Sequence, residues 1–130
     1  MNTKNAVPIF KKYPVLFAYL FGSRAKGRET DKSDVDIAVF LDRTISKERY
    51  RDVLGSLREE LSHALGAYDK VDLIALNDAP PLLEREVVYE GKLLYSLDKG
   101  AQSHHLAQAV SRWLDFEWHH NRFVRKVYAE

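Results

Sequence analysis

The sequence predicts an α/β domain built on one mixed sheet of about four strands, with helices packed against it. Three observations carry that expectation. Short apolar or alternating runs of strand length are separated by segments with helical i, i+3, i+4 spacing. The two kinds of segment interleave along the chain rather than segregate. The chain has 130 residues, 45% aliphatic or aromatic and 30% charged, enough to bury a single core.

Taken in order, the elements are as follows. A short helix is expected before Pro14. Residues 15–21 (VLFAYLF) form a continuous apolar run, short for a helix and rich in aromatics, and read as a buried strand. Gly22 and Ser23 break it, and residues 23–33 (SRAKGRETDKS) read as a polar turn with at most a short helix. Val35, Ile37, Val39 and Leu41 then alternate with Asp34, Asp36, Ala38 and Phe40, which gives a second strand with two distinct faces. Ser46 suits the N-cap of a helix in which Tyr50, Val53, Leu54, Leu57, Leu61, Ala64 and Leu65 share one side until Gly66 ends it.

Residues 70–77 (KVDLIALN) read as a third strand. Pro80 and Pro81 open a second long helix that runs through LLEREVVYE and stops at Gly91. Residues 92–97 (KLLYSL) give a short fourth strand. From about residue 102 to 128 the chain reads as one long helix. Its stripe of Leu106, Ala109, Val110, Trp113, Phe116, His120, Phe123 and Val127 is expected to bury against the core. The whole is expected to be a single domain, with a core over about residues 14–98 and the C-terminal helix over about 102–128.

Bulk properties exclude several classes. A formal charge of +1 gives no electrostatic case for direct nucleic-acid or membrane-surface binding. The absence of cysteine excludes disulfides and thiolate metal sites and suits a reducing cytoplasm, the expected location. The N-terminus lacks a signal-peptide core, and no run approaches the roughly 20 apolar residues of a membrane span.

The chemistry concentrates in residues 21–40, FGSRAKGRETDKSDVDIAVF. Residues two apart on a strand point the same way, so Asp34 and Asp36 share a face and can bind a common hard cation. Mg²⁺ takes one or two protein carboxylates and fills its other positions with water and substrate phosphates. Ahead of them, Gly22 lets backbone approach a ligand, and free N–H groups in the Gly22-Ser23 turn suit a phosphate. Asp72 lies between Val71 and Leu73 in the third strand. A charge buried in such an apolar run would cost several kcal/mol, roughly, unless paired or bound to metal. With Asp34 and Asp36 it could hold two ions about 3.5–4 Å apart, the clamp for an in-line displacement.

Gly22-Ser23, ten intervening residues, Asp34-Val35-Asp36, and Asp72 on a later strand together resemble the polymerase-β-type nucleotidyltransferase superfamily. The short chain is similar in particular to its minimal nucleotidyltransferase branch, the MntA-type antitoxins paired with HEPN-domain toxins. That resemblance implies a polymerase β-like fold and Mg²⁺-dependent transfer of AMP from ATP to a tyrosine hydroxyl of a partner HEPN RNase. It implies Asp34, Asp36 and Asp72 as metal-binding and catalytic residues, with Asp72 also a candidate base, and Gly22 and Ser23 on the triphosphate. Arg24, directly after Ser23, is the best further candidate for a triphosphate contact. Two other readings stand beside it: nucleotidyl transfer to a small molecule such as an aminoglycoside, and a non-catalytic antitoxin that blocks its partner by binding. About thirty residues follow the core, which favours a protein acceptor over an enclosed small-molecule pocket.

The remaining polar residues read more plainly. Lys26, Arg28 and Lys32 suit a solvated loop, Asp31 and Asp42 the surface, and Asp69 the approach to the third strand. Adjacent histidines on a helix point about 100° apart, so His104-His105 and His119-His120 are expected on the surface or helix face rather than as metal ligands. Trp113, Phe116 and Phe123 are expected to pack on the sheet. Trp118 and Tyr128 lie off that stripe, which suggests a partner or homo-oligomer contact.

Overall fold

The computed structural model describes residues 1–30 and 32–128, so Asp31 lies outside the described residues. Four strands form one sheet in the order β3-β2-β1-β4: β1 (Val15–Phe21), β2 (Val35–Leu41), β3 (Val71–Ala75) and β4 (Lys92–Ser96). β1 runs antiparallel to both β2 and β4, whereas β2 and β3 are parallel, so the sheet is mixed as expected. The parallel pair requires a crossover, which α2 (Tyr50–Leu65) supplies.

Strand alternation divides the core in two. On one face Val35, Ile37, Val39 and Leu41 of β2 pack with Leu57, Leu61 and Leu65 of α2, joined by Phe10 from α1 (Val7–Lys11). On the other, Phe17, Tyr19 and Phe21 of β1 and Ala38 and Phe40 of β2 pack under Val87 of α3 (Pro81–Glu90). The Phe17 and Phe40 rings stack at 4.9 Å. The helix before Pro14 is present, preceded by a 3-10 turn at Thr3–Ala6. Ser46 has extended backbone but makes no side-chain cap bond, and a 3-10 turn at Lys47–Arg49 leads into α2 instead. Gly66 ends α2 in the left-handed region, with φ 63°, as a helix-stopping glycine should.

The last helix, α4 (Lys99–Tyr128), corrects the sequence reading. Thirty residues at 1.5 Å each make it about 45 Å long, whereas a seven-residue strand spans only about 23 Å. Its first half packs, but through His105 and Ala109 rather than Leu106, which is exposed. Trp113 lies against Tyr89 and Arg85 of α3 rather than on the sheet. Farther along the helix passes beyond anything to bury against, and Phe123 and Val127 are 64% and 51% exposed. Trp118 and Tyr128 are exposed, as expected. No described helix is long and apolar enough to cross a membrane.

Candidate active site

Backbone register assembles the site. Val35 N–H donates to the Lys70 carbonyl at 2.8 Å, which sets Asp36 directly beside Asp72 across the parallel pair. On its other side Asp36 pairs with Phe21, the last residue of β1. The end of β1, Asp36 and Asp72 therefore form one row across three strands. Asp36 precedes Ala38 and Phe40 on the same side of β2, so its carboxylate lies on the α3 face of the sheet. Asp34 sits one step earlier, just before β2 begins.

Gly22 stands where the chain turns away from β1. Its φ is +73°, and a Cβ there would fall against the Asp36 carboxylate, so both conformation and space require glycine. Residues Gly22–Arg24 form a 3-10 turn. The Ser23 carbonyl accepts from Lys26 N–H at 3.2 Å and Arg28 N–H at 2.9 Å, which holds the loop in shape. Arg24 reaches back over the start of β2: its Nη2 donates to the Ser33 carbonyl at 3.0 Å and its Nε to the Asp34 carbonyl at 3.2 Å. The Arg24 guanidinium thus ties the Gly-Ser turn to the aspartate strand. Lys26 is held by Glu86 at 3.3 Å and Glu90 at 2.7 Å, both on α3.

The electrostatics mark Asp36 as the centre. Burial pushes its carboxyl pKa upward, and the neighbouring charges of Asp72, Asp34 and Glu86 push it further the same way. Glu86 is a member of this field that the sequence reading missed. It lies on a separately predicted helix, and only the packing of α3 brings it near. Asp72 is exposed rather than buried, because β3 is the edge strand. The desolvation cost expected for it from the apolar run does not apply.

The donor set suits Mg²⁺ in kind: Asp36 and Asp72 share a row, Asp34 stands just before it, all three offer hard oxygens only, and the like charge around Asp36 is what a divalent cation would relieve. Among the described residues no three Asp, Glu or His side chains already stand as a metal cluster. What the fold sets is the backbone register that places the carboxylates.

A second polar cluster lies farther along the same face. Glu84 and His105 are buried, at 2% and 1% exposure. His105 Nε2 lies 3.0 Å from Glu84 Oε2, and Arg112 donates to both carboxylate oxygens at 2.9 Å. His105 packs against the Phe17 and Phe40 rings. It is therefore a core residue on the inner face of α4, joining α3 to α4, rather than a residue of the surface. The readable signal was that His105 and Arg112, seven apart, share a helix face; their partner on α3 was not readable.

Fold and site together define a nucleotidyltransferase. The chain belongs to the family described as "Polymerase beta, Nucleotidyltransferase", whose model matches residues 4–100. No curated protein sequence matches it. Among solved structures it is similar to a toxin–antitoxin crystallised with AMP-PNP, with TM-score 0.78 and 24% identity over 98% of each chain. It is also similar to the MntA-HepT toxin–antitoxin, with TM-score 0.69 and 23% identity over 96% of each chain. A third structure is the tri-AMPylated Shewanella oneidensis HEPN toxin in complex with MNT antitoxin, with TM-score 0.68 and 24% identity over 98% of each chain. At these identities the likeness speaks for the fold.

Proposed function

We propose that this chain transfers AMP from ATP to a tyrosine hydroxyl of a partner HEPN RNase toxin, and so acts as an antitoxin in the cytoplasm. The observation that carries the reading is the row formed by Asp36 and Asp72 in register, with Asp34 beside them and Gly22 closed down on Asp36. The turn at Gly22 and Ser23 receives the triphosphate, and Arg24 holds that turn against the Asp34 backbone. The acceptor oxygen forms a bond to the α-phosphorus as the bond to the β-phosphate bridging oxygen breaks. Pyrophosphate leaves, and the hydroxyl proton passes to a carboxylate, a role assigned to exposed Asp72. Asp34, Asp36 and Asp72 would hold Mg²⁺, two ions by this reading, which supplies charge neutralisation for the attacking and leaving oxygens.

The test is intact mass measurement of a HEPN partner incubated with this chain, ATP and Mg²⁺, with a chelator arm. Adenylyl increments on the partner, abolished by chelation and mapped to tyrosine, are the expected result. Neutralisation of the partner's RNase activity with no mass change would replace the reading with steric blockade.

A further inference from the structure

β3, five residues long, forms one outer edge of the sheet, and that edge begins at the candidate active site. In a parallel ladder, successive residues direct their N–H and C=O groups alternately to the two sides. The bond from Val35 N–H to the Lys70 carbonyl fixes the phase: Asp72 faces β2, and Val71, Leu73 and Ala75 face outward. Arg58 confirms it from outside by donating its Nε to the Val71 carbonyl at 2.8 Å. Beyond that point a groove of about 720 Å³ runs along the edge, between α2 and the start of α3. Its floor is Leu73 and Ile74; on its rim Lys47 pairs with Asp78 at 3.7 Å, the one carboxylate among the lining residues, which leaves the charges of Arg51 and Arg58 without a carboxylate in the groove. Short edge strands are usually blunted along their length; this one is covered by Arg58 at Val71 and is open at Leu73.

We propose that this groove receives an extended, acidic segment of the protein acceptor, which pairs with β3 as a fifth strand and presents its tyrosine beside Asp72. The proposal rests on the tyrosine-transfer reading above and names how that acceptor is recognised. Main-chain pairing at Leu73 supplies the register, and the excess of cations on the rim selects acidic residues. A residue paired opposite Asp72 points its side chain to the same face of the sheet as Asp72 does. One strand spacing, about 4.8 Å, then separates the acceptor backbone from the catalytic row.

The full chain is tested with a fluorescent Glu/Tyr copolymer and a Lys/Tyr copolymer as probes. Anisotropy reads binding, and labelled ATP with Mg²⁺ reads transfer. The wild-type chain should bind the acidic copolymer and not the basic one. Lys47→Glu with Arg51→Glu should weaken that binding about tenfold or more. Leu73→Pro, which removes an outward N–H that an edge strand can spare, should abolish it while circular dichroism stays native. Arg122→Glu on α4, a charge reversal away from the groove, should change nothing. Equal binding by wild type and groove variants overturns the proposal, and so does no binding at all. A dimer that Leu73→Pro dissolves, without copolymer binding, overturns it in favour of pairing between copies of this chain. Binding that depends on the groove but yields no transfer upholds the docking surface and counts against the transferase reading instead.

Discussion

At one end of the α3 face of the sheet, Asp36 shares its surroundings with Asp34, Asp72 and Glu86, and every one of those neighbours makes its ionisation harder. At the other, Glu84 is buried almost completely, yet Arg112 meets both its oxygens and His105 the second of them. The first cluster pools like charge where solvent still reaches it; the second buries one charge and surrounds it with donors. A fold gains nothing from the first arrangement until a cation arrives, whereas the second holds two helices together without one. The contrast separates acidic residues that crowd one another without a partner cation from those that serve the scaffold.

The sharpest way to break that comparison is to remove charge from the first cluster. Asp34→Asn with Asp36→Asn should cost about 10⁴-fold or more in transfer rate, the scale seen when catalytic groups acting as a unit are lost. The variant should nonetheless melt higher than the wild type near neutral pH, because the repulsion centred on Asp36 is gone. Single-turnover transfer and thermal melts on one preparation decide it; retained transfer, or a lower melting temperature, would merge the two regions again.

Glu84→Ala is the reciprocal experiment. It leaves Arg112 and buried His105 without their carboxylate; Arg112 keeps 48% of its side chain exposed and burial favours neutral His105, so what is lost is hydrogen bonding to a charged group, about 1.5–3 kcal/mol. Denaturant unfolding should show that loss, with α4 detaching from α3. At temperatures where the variant is folded, nucleotide affinity should be unchanged, since neither Gly22 nor Asp36 touches Glu84.

These two clusters were unequally visible in the sequence. The Gly22-Ser23 turn and the Asp34-Asp36 pair are local patterns, set by strand alternation and by what only glycine can do, so their placement could be written down before any packing was known. Asp72 was found as a charge inside an apolar run, but its exposure was not, because a run of five residues reads the same on an edge strand and a central one. The Glu84 cluster joins residues 21 and 28 positions apart on two helices, and no local pattern records which helices meet. For α4, periodicity gave a stripe but not what lay opposite it. Phe123 and Val127 have the spacing of core residues and no core within reach.

Gly22→Ala probes the seam between turn and carboxylate and is a smaller perturbation. A left-handed φ costs an L-residue about 1–2 kcal/mol, and the added methyl would also displace the Asp36 carboxylate. The rate should fall by more than that strain lowers stability, measured as the transfer rate at saturating ATP against unfolding free energy. A loss confined to stability would mean that Gly22 serves the turn alone.

The pH dependence is the gentlest test, and the two clusters should give it opposite signs. Burial pushes the His105 pKa below its ordinary 6.5, and this outweighs the opposing pull of Glu84. Below 6.5 the unfolded chain therefore takes up a proton before the native one does, and stability falls as pH falls through that window. Asp36 is the reverse case. Its folded pKa lies above the ordinary 3.8, so in the window above 3.8 the native state holds the proton that the unfolded chain has lost. Stability there falls as pH rises, and the penalty is fully present above the folded pKa. For a single proton neither slope can exceed about 1.4 kcal/mol per pH unit. Urea unfolding from pH 4 to 8 should show the Asp36→Asn advantage largest near pH 7 and vanishing toward pH 4. His105→Gln, which can still bond Glu84 but takes up no proton, should flatten the decline below pH 6.5 and leave the Asp36 window untouched. Opposite signs would show that burial with partners and burial among like charges are different physical states on one sheet face; a shared sign would mean that a single titration governs both ends.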